Sequence, residues 1–187
     1  MGFFDSLLGK TQLPSAKTDK LFAISTAAVT LEANLGLKPD GEAAICFKPM
    51  ESSFYESAYA EIEDLLKIST KETGTEYRMK KDEYGYLWVV LKDKEFEDIV
   101  ATIQMIAQTL IEHGFGTQLL CAVYRFIGES TVYWIYSFKQ GSYYPFVPLK
   151  DKQRDNAREF RIKAIMEKEM PVEKDVARWY PLWDMPI

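Results

Sequence analysis

The chain has 187 residues, enough to bury one sizeable core without disulfide or metal staples. Its 47% hydrophobic and 27% charged contents suit an ordinary globular domain, and a formal net charge of -5 argues against a nucleic-acid partner. Two cysteines in apolar stretches, Cys46 in AAICF and Cys121 in QLLCAVY, read as buried thiols of a reducing compartment and not as a disulfide framework. No apolar run approaches the ~20 residues of a membrane span, and MGFFDSLLGK lacks the marks of a secretory signal. A cytoplasmic location is expected.

Residues 1–17 read as an amphipathic segment and linker, ahead of a single domain over 18–187. Phe3, Phe4, Leu7 and Leu8 share one side if the segment is helical. They suit a membrane interface, a partner's groove or the chain's own core. The Thr18-Asp19 pair suggests a helix start, while the apolar residues beyond it leave helix and strand both open up to Leu35. Pro39-Asp40-Gly41 reads as a turn and residues 43–47 as a short buried strand. Ser53 with Glu56 forms a capping box before a helical stripe of Tyr55, Ala58, Tyr59, Ile62, Leu65 and Leu66.

Residues 75–80 and 84–91 read as a strand pair. The second of these strands is apolar on both sides, as a central strand covered twice would be. A long helix follows, capped by Asp93 and ended by Gly114. Residues 118–127, 131–138 and 142–149 form a three-stranded meander, with Pro145 and Pro148 marking an edge strand. A charged helix is expected over 151–170, then an aromatic tail, RWYPLWDMPI. The fold class is α+β: an antiparallel sheet of about five to six strands with helices packed mainly on one face.

Nothing in the pattern supplies a catalytic set. His113, the single histidine, sits where a helix ends and suits bonding to the last carbonyls more than a pairing with Cys46 or Cys121. Two cysteines and one histidine without CxxC spacing make a structural metal improbable, no phosphate-cradling glycine loop is present, and no cofactor is expected. Arg154, Arg158 and Arg161 would line one face of the charged helix. They read either as a grip for an anionic partner or as a solvated surface neutralised by Asp151, Asp155 and Glu159.

Several stretches together resemble one family, the phage-shock-protein-A-associated proteins called PspAB. They are MGFFDSLLGK, AAVTLEANLGLKP with AAICFKP, DEYGYLWVVL with FEDIV, GFGTQLLCAVYRF, VYWIYSFKQGSYYPFVPL, RDNAREFRIK and RWYPLWDMPI. The resemblance runs almost end to end; only residues 67–83 and 163–177 look unfamiliar. It implies association with a PspA-like coiled-coil protein that protects a stressed membrane, and it carries over no catalytic residue.

The terminal RWYPLWDMPI suits docking, because Trp179, Tyr180 and Trp183 offer rigid contact area and Pro181 and Pro186 lower the entropy lost on ordering. Its surface is either the chain's own sheet, beside SYYPFVPL, or a partner. The expected activity is that of a non-enzymatic adaptor at a membrane-stress system, with peripheral membrane contact and a homodimer as further expectations. The alternatives are a secretion-chaperone-like protein-binding domain and an uncharacterised enzyme. Candidate docking residues are Phe3, Phe4, Leu7, Leu8, Arg154, Arg158, Arg161, Trp179, Tyr180 and Trp183.

Overall fold

Most strands of the sheet place apolar side chains on both faces, and that double demand organises everything else. The computed structural model describes residues 16–187. In chain order they form α1 (Ala23–Leu35), β1 (Lys38–Phe47), α2 (Ser53–Glu72), β2 (Glu76–Lys81), β3 (Leu87–Lys92), α3 (Phe96–Glu112), β4 (Leu119–Ile127), β5 (Val132–Ser137), β6 (Ser142–Phe146) and α4 (Asn156–Met166). The sheet order is β2-β3-β1-β4-β5-β6, and every neighbouring pair is antiparallel. This is the α+β architecture expected from the sequence.

One face of the sheet carries the helical layer. Tyr124 and Phe126 of β4 meet Phe96 at the start of α3 edge-on, at 5.9 and 5.5 Å between ring centroids. The Tyr143 hydroxyl donates to the Leu21 carbonyl, and the Tyr136 hydroxyl donates to the Lys17 carbonyl at 2.9 Å. These bonds fix the chain leading into α1 upon the sheet. The α3 helix buries Ile99, Val100, Ile103, Ile106, Ala107 and Leu110. Burying such side chains is worth roughly 1.5–3 kcal/mol each, so this helix dominates the layer. The α2 helix packs outside it on Tyr55, Ala58, Ile62 and Leu66, and α4 closes the β6 side with Ile162 and Met166.

Several local expectations shift for identifiable reasons. The Pro39–Gly41 segment is no turn between elements but a bulge inside β1, where the register against β4 jumps between Pro39 and Ala43. The α2 cap is Ser52, whose hydroxyl accepts from the Tyr55 amide at 3.2 Å, one residue before the Ser53 of the expected capping box. Asp93 does not cap α3. Its carboxylate accepts from the Glu95 amide and from the Thr75 hydroxyl, tying the β2 entry to the β3 exit. The charged helix is shorter than 151–170: Asp151 and Lys152 take left-handed conformations, and Asp155 caps α4 by accepting from the Arg158 amide at 2.9 Å. The ambiguous stretch after Leu21 settles as helix through Leu35, and Gly36 ends it at φ 61°.

Gly41 is the residue the bulge requires. Its φ is 83°, and a Cβ there would stand 2.5 Å from the Asp93 carbonyl oxygen. The bulge in turn aims Asp40 and Glu42 at Arg125 of β4, which binds both carboxylates. Replacing Gly41 with alanine should therefore cost about 2 kcal/mol or more, from left-handed strain plus the collision. Urea unfolding monitored by circular dichroism checks this; a midpoint equal to the wild type's would show that the bulge tolerates a side chain.

Candidate functional site

The second face of the sheet is covered by the chain's own end. Beyond α4, residues 171–173 run beside the edge strand β6: the Tyr143 amide donates to Pro171 at 2.8 Å, and the Glu173 amide donates to the Tyr143 carbonyl at 2.7 Å. A 3-10 turn over Val176–Arg178, capped by the Asp175 carboxylate, then delivers Trp179 onto Tyr144. The two rings stack at 6.3 Å with an interplanar angle of 16°. Trp183 meets Phe146 edge-on at 5.0 Å. Further along, the Pro186 carbonyl accepts from Arg78 of β2 at 2.7 Å, and the Tyr144 hydroxyl donates to the Tyr180 carbonyl at 3.0 Å. Residues 179–187 thus form a strap that reaches from β6 to β2.

One buried ion pair fastens it. Arg154 lies just ahead of α4, with its Nε 3.0 and 2.9 Å from the two carboxylate oxygens of Glu159. Its Nη1 donates to the Trp179 carbonyl at 2.7 Å, and the guanidinium stands 5.3 Å over the Phe146 ring. Glu159, only 1% exposed, also accepts from the Val147 amide at 2.9 Å. Burial pushes its carboxyl above the ordinary 4.5, against the downward pull of the Val147 amide and Arg154. The planar fork of arginine is what lets one side chain join α4, β6 and the strap.

Two grooves flank the strap. One of about 380 Å³ is bounded by Ala16, Leu119, Leu120, Tyr144, Tyr180 and Leu182. The other, of about 610 Å³, lies between the strap and the β2–β3 turn and has Cys46, Cys121 and Trp88 in its lining. Asp82 shapes that turn: it accepts from the Tyr84 and Tyr86 amides at 3.0 and 2.9 Å and from the Trp88 indole at 2.8 Å. The rims carry exposed apolar side chains, Tyr84 at 77%, Tyr180 at 61% and Leu120 at 37%. Exposed aromatics around a concave apolar surface are the residue types that anchor protein contacts.

The structure divides the residues proposed from sequence. Phe3, Phe4, Leu7 and Leu8 lie outside the described residues. Trp179 is buried on Tyr144 and Trp183 is half-buried on Phe146, whereas Tyr180 points outward. The three arginines do not form one helical face, because Arg154 precedes α4 and is half-buried in the strap contact. Arg158 pairs with Glu129 at 3.0 Å, and Arg161 is exposed. Asp155 serves as the α4 cap, so it does not support Arg158 as an ion-pair partner. His113 bonds Glu61 of α2 at 2.8 Å rather than the carbonyls of its own helix. Tyr84, Leu120 and Leu182 were missed as rim residues. Leu120 sits inside an apolar run that reads as core, and only the β4 register irregularity exposes it.

Among the described residues no helix is long and apolar enough to cross a membrane, and no group of three His, Cys, Asp or Glu side chains is placed to hold a metal ion. The arrangement is that of an α+β domain whose sheet is helix-covered on one face and strapped by its own chain on the other. The chain belongs to the family of PspA associated protein B, whose family model matches residues 1–187, the whole length. No curated protein and no solved structure matches it.

Removing one member of the buried pair should expose its cost. Arg154→Met strands the Glu159 carboxylate and should destabilise by about 3–5 kcal/mol, and adding Glu159→Gln should recover part of that loss. The pH dependence has a definite sign. A carboxyl held above 4.5 binds its proton more readily in the folded state, so the stability it contributes is full below that value and lost as pH rises through the raised one. Denaturation between about pH 4 and about pH 7 should show wild type losing stability relative to Glu159→Gln, more steeply in Arg154→Met. Parallel profiles for all three would refute this assignment.

Proposed function

We propose that this protein acts by binding, as an accessory protein that associates with a PspA-like coiled-coil protein in a membrane-stress response. The observation that carries the reading is the end-to-end family match, since the family is named for association with PspA. The grooves beside the strap support it. A coiled-coil partner presents apolar ridges at helical spacing, and an apolar groove with an aromatic rim accepts such a ridge by the helix-in-groove mode. Tyr84, Leu120 and Tyr180 supply contact area at low entropic cost, having few rotatable bonds for their size. Phe3, Phe4, Leu7 and Leu8 add apolar area at the other end of the chain, toward lipid or toward the same partner. The work is done at the cytoplasmic side of the membrane.

Titration of the full chain with the purified PspA-like partner tests the reading. Binding in the low micromolar range is expected. Tyr84→Ala and Tyr180→Ala should each weaken it about tenfold, the effect of losing roughly 1.4 kcal/mol of contact, with melting temperatures unchanged. Absence of association by wild type at these concentrations would overturn the proposal, and full affinity in both variants would move the contact off the strap side.

A further inference from the structure

Cys46 and Cys121 stand directly opposite one another in the β1–β4 ladder. Opposed residues of an antiparallel pair have Cα atoms about 4.5–5.5 Å apart, inside the ~4.4–6.8 Å that a disulfide spans. Both thiols are free and buried. Their side chains lie on the strap face, in the lining of the groove of about 610 Å³, where Trp88 is the ladder partner of Cys46 on its other side. The pair is unsymmetrical. Cys121 is 8% exposed and borders both grooves, whereas Cys46 is 2% exposed. The neighbouring Cys121 thiol, then burial, pushes the Cys46 thiol far up, so Cys46 retains its proton.

We propose that Cys46 and Cys121 form a two-thiol site that exchanges with low-molecular-weight disulfides entering the groove between the strap and the β2–β3 turn. Cys121, as thiolate, attacks one sulfur of the incoming disulfide. That S–S bond breaks and the first small thiol leaves as its thiolate. The sulfur of Cys46, giving its proton to a departing thiolate, then displaces the second small thiol from Cys121 and forms the Cys46–Cys121 bond. The two cysteines lose two electrons and two protons, and the small disulfide gains both to become two thiols. The strands already hold the two residues in register, so closure needs no rearrangement of the ladder. The resulting bond would join the two central strands beneath Leu182, giving the strap side a redox input that does not depend on any partner being identified.

The test uses the full chain with glutathione disulfide as the probe, at graded ratios of oxidised to reduced glutathione. Samples are quenched with an alkylating agent and read by intact mass and peptide mapping. The expected result is an intramolecular link between the peptides holding residues 46 and 121, with tryptophan emission changing as Trp88 gains a disulfide neighbour. Cys46→Ser should stop at a mixed disulfide on Cys121, and Cys121→Ser should react at least about ten times more slowly. If either serine variant fails to fold, the wild-type peptide map decides alone. Wild type that keeps two alkylatable thiols over the whole range, while forming the link readily in denaturant, would overturn the proposal. Disulfides joining two chains, or equal reactivity of the two variants, would overturn it as well.

Discussion

A sheet that is apolar on both faces must be covered twice, and in this fold the second cover hangs on one guanidinium. The helices shield Ala43, Ile45, Val89, Leu91, Tyr124 and Tyr136 on one side. On the other, Trp88, Cys46, Cys121, Tyr144 and Phe146 would face water but for residues 179–187. An extended strap cannot satisfy its own backbone, so its carbonyls need donors from the sheet. Arg154, Arg78 and Tyr144 supply them at Trp179, Pro186 and Tyr180. Tyr144 is the most enclosed of the three, and the charge of Arg154 is tolerated because Glu159 is buried beside it with a backbone amide to help hold the carboxylate.

The same economy governs the edges of the sheet. An open edge strand invites association with another chain. At β6 the outward groups of Tyr143 are taken by residues 171 and 173, and Pro145 has no amide to offer. At β2 the defence is charge, with Glu76, Lys80 and Lys81 on an edge strand only six residues long. The segment that closes the β6 edge leads straight into the strap, so edge protection and face coverage belong to one continuous stretch of chain after α4.

The strands and long helices were legible because their periodicities are strong: β3 reads as central from apolar residues on both sides, and α3 from its stripe between Phe96 and Gly114. The faults lie where a tertiary partner overrides local chemistry. Asp93 looks like a helix cap, but the Thr75 hydroxyl claims it. Pro39-Asp40-Gly41 has turn composition, but the pull of Arg125 on Asp40 and Glu42 makes it a bulge. Arg154 falls in a helical spacing with Arg158 and Arg161, yet the left-handed Asp151 and Lys152 break the helix before it starts. The docking character of RWYPLWDMPI was readable from its aromatics and prolines. Its target was not, because nothing local distinguishes a tryptophan that packs on its own sheet from one that waits for a partner.

That last ambiguity has a physical resolution within the strap itself. Trp179 and Tyr180 are adjacent, yet one is 3% exposed and the other 61%. Trp179 turns inward and Tyr180 outward, while Leu182 and Trp183, next to a turn at the left-handed Asp184, are both half-buried against the core. Trp179 cannot vary without loosening the fold, whereas the outward Tyr180 ring has no core packing that fixes its aromatic character. An outward tyrosine beside an apolar groove, on a segment held rigid from below, costs little further entropy when something binds to it. In this fold Tyr180 is held outward because Trp179 and Trp183 fasten the strap to Tyr144 and Phe146 beneath it.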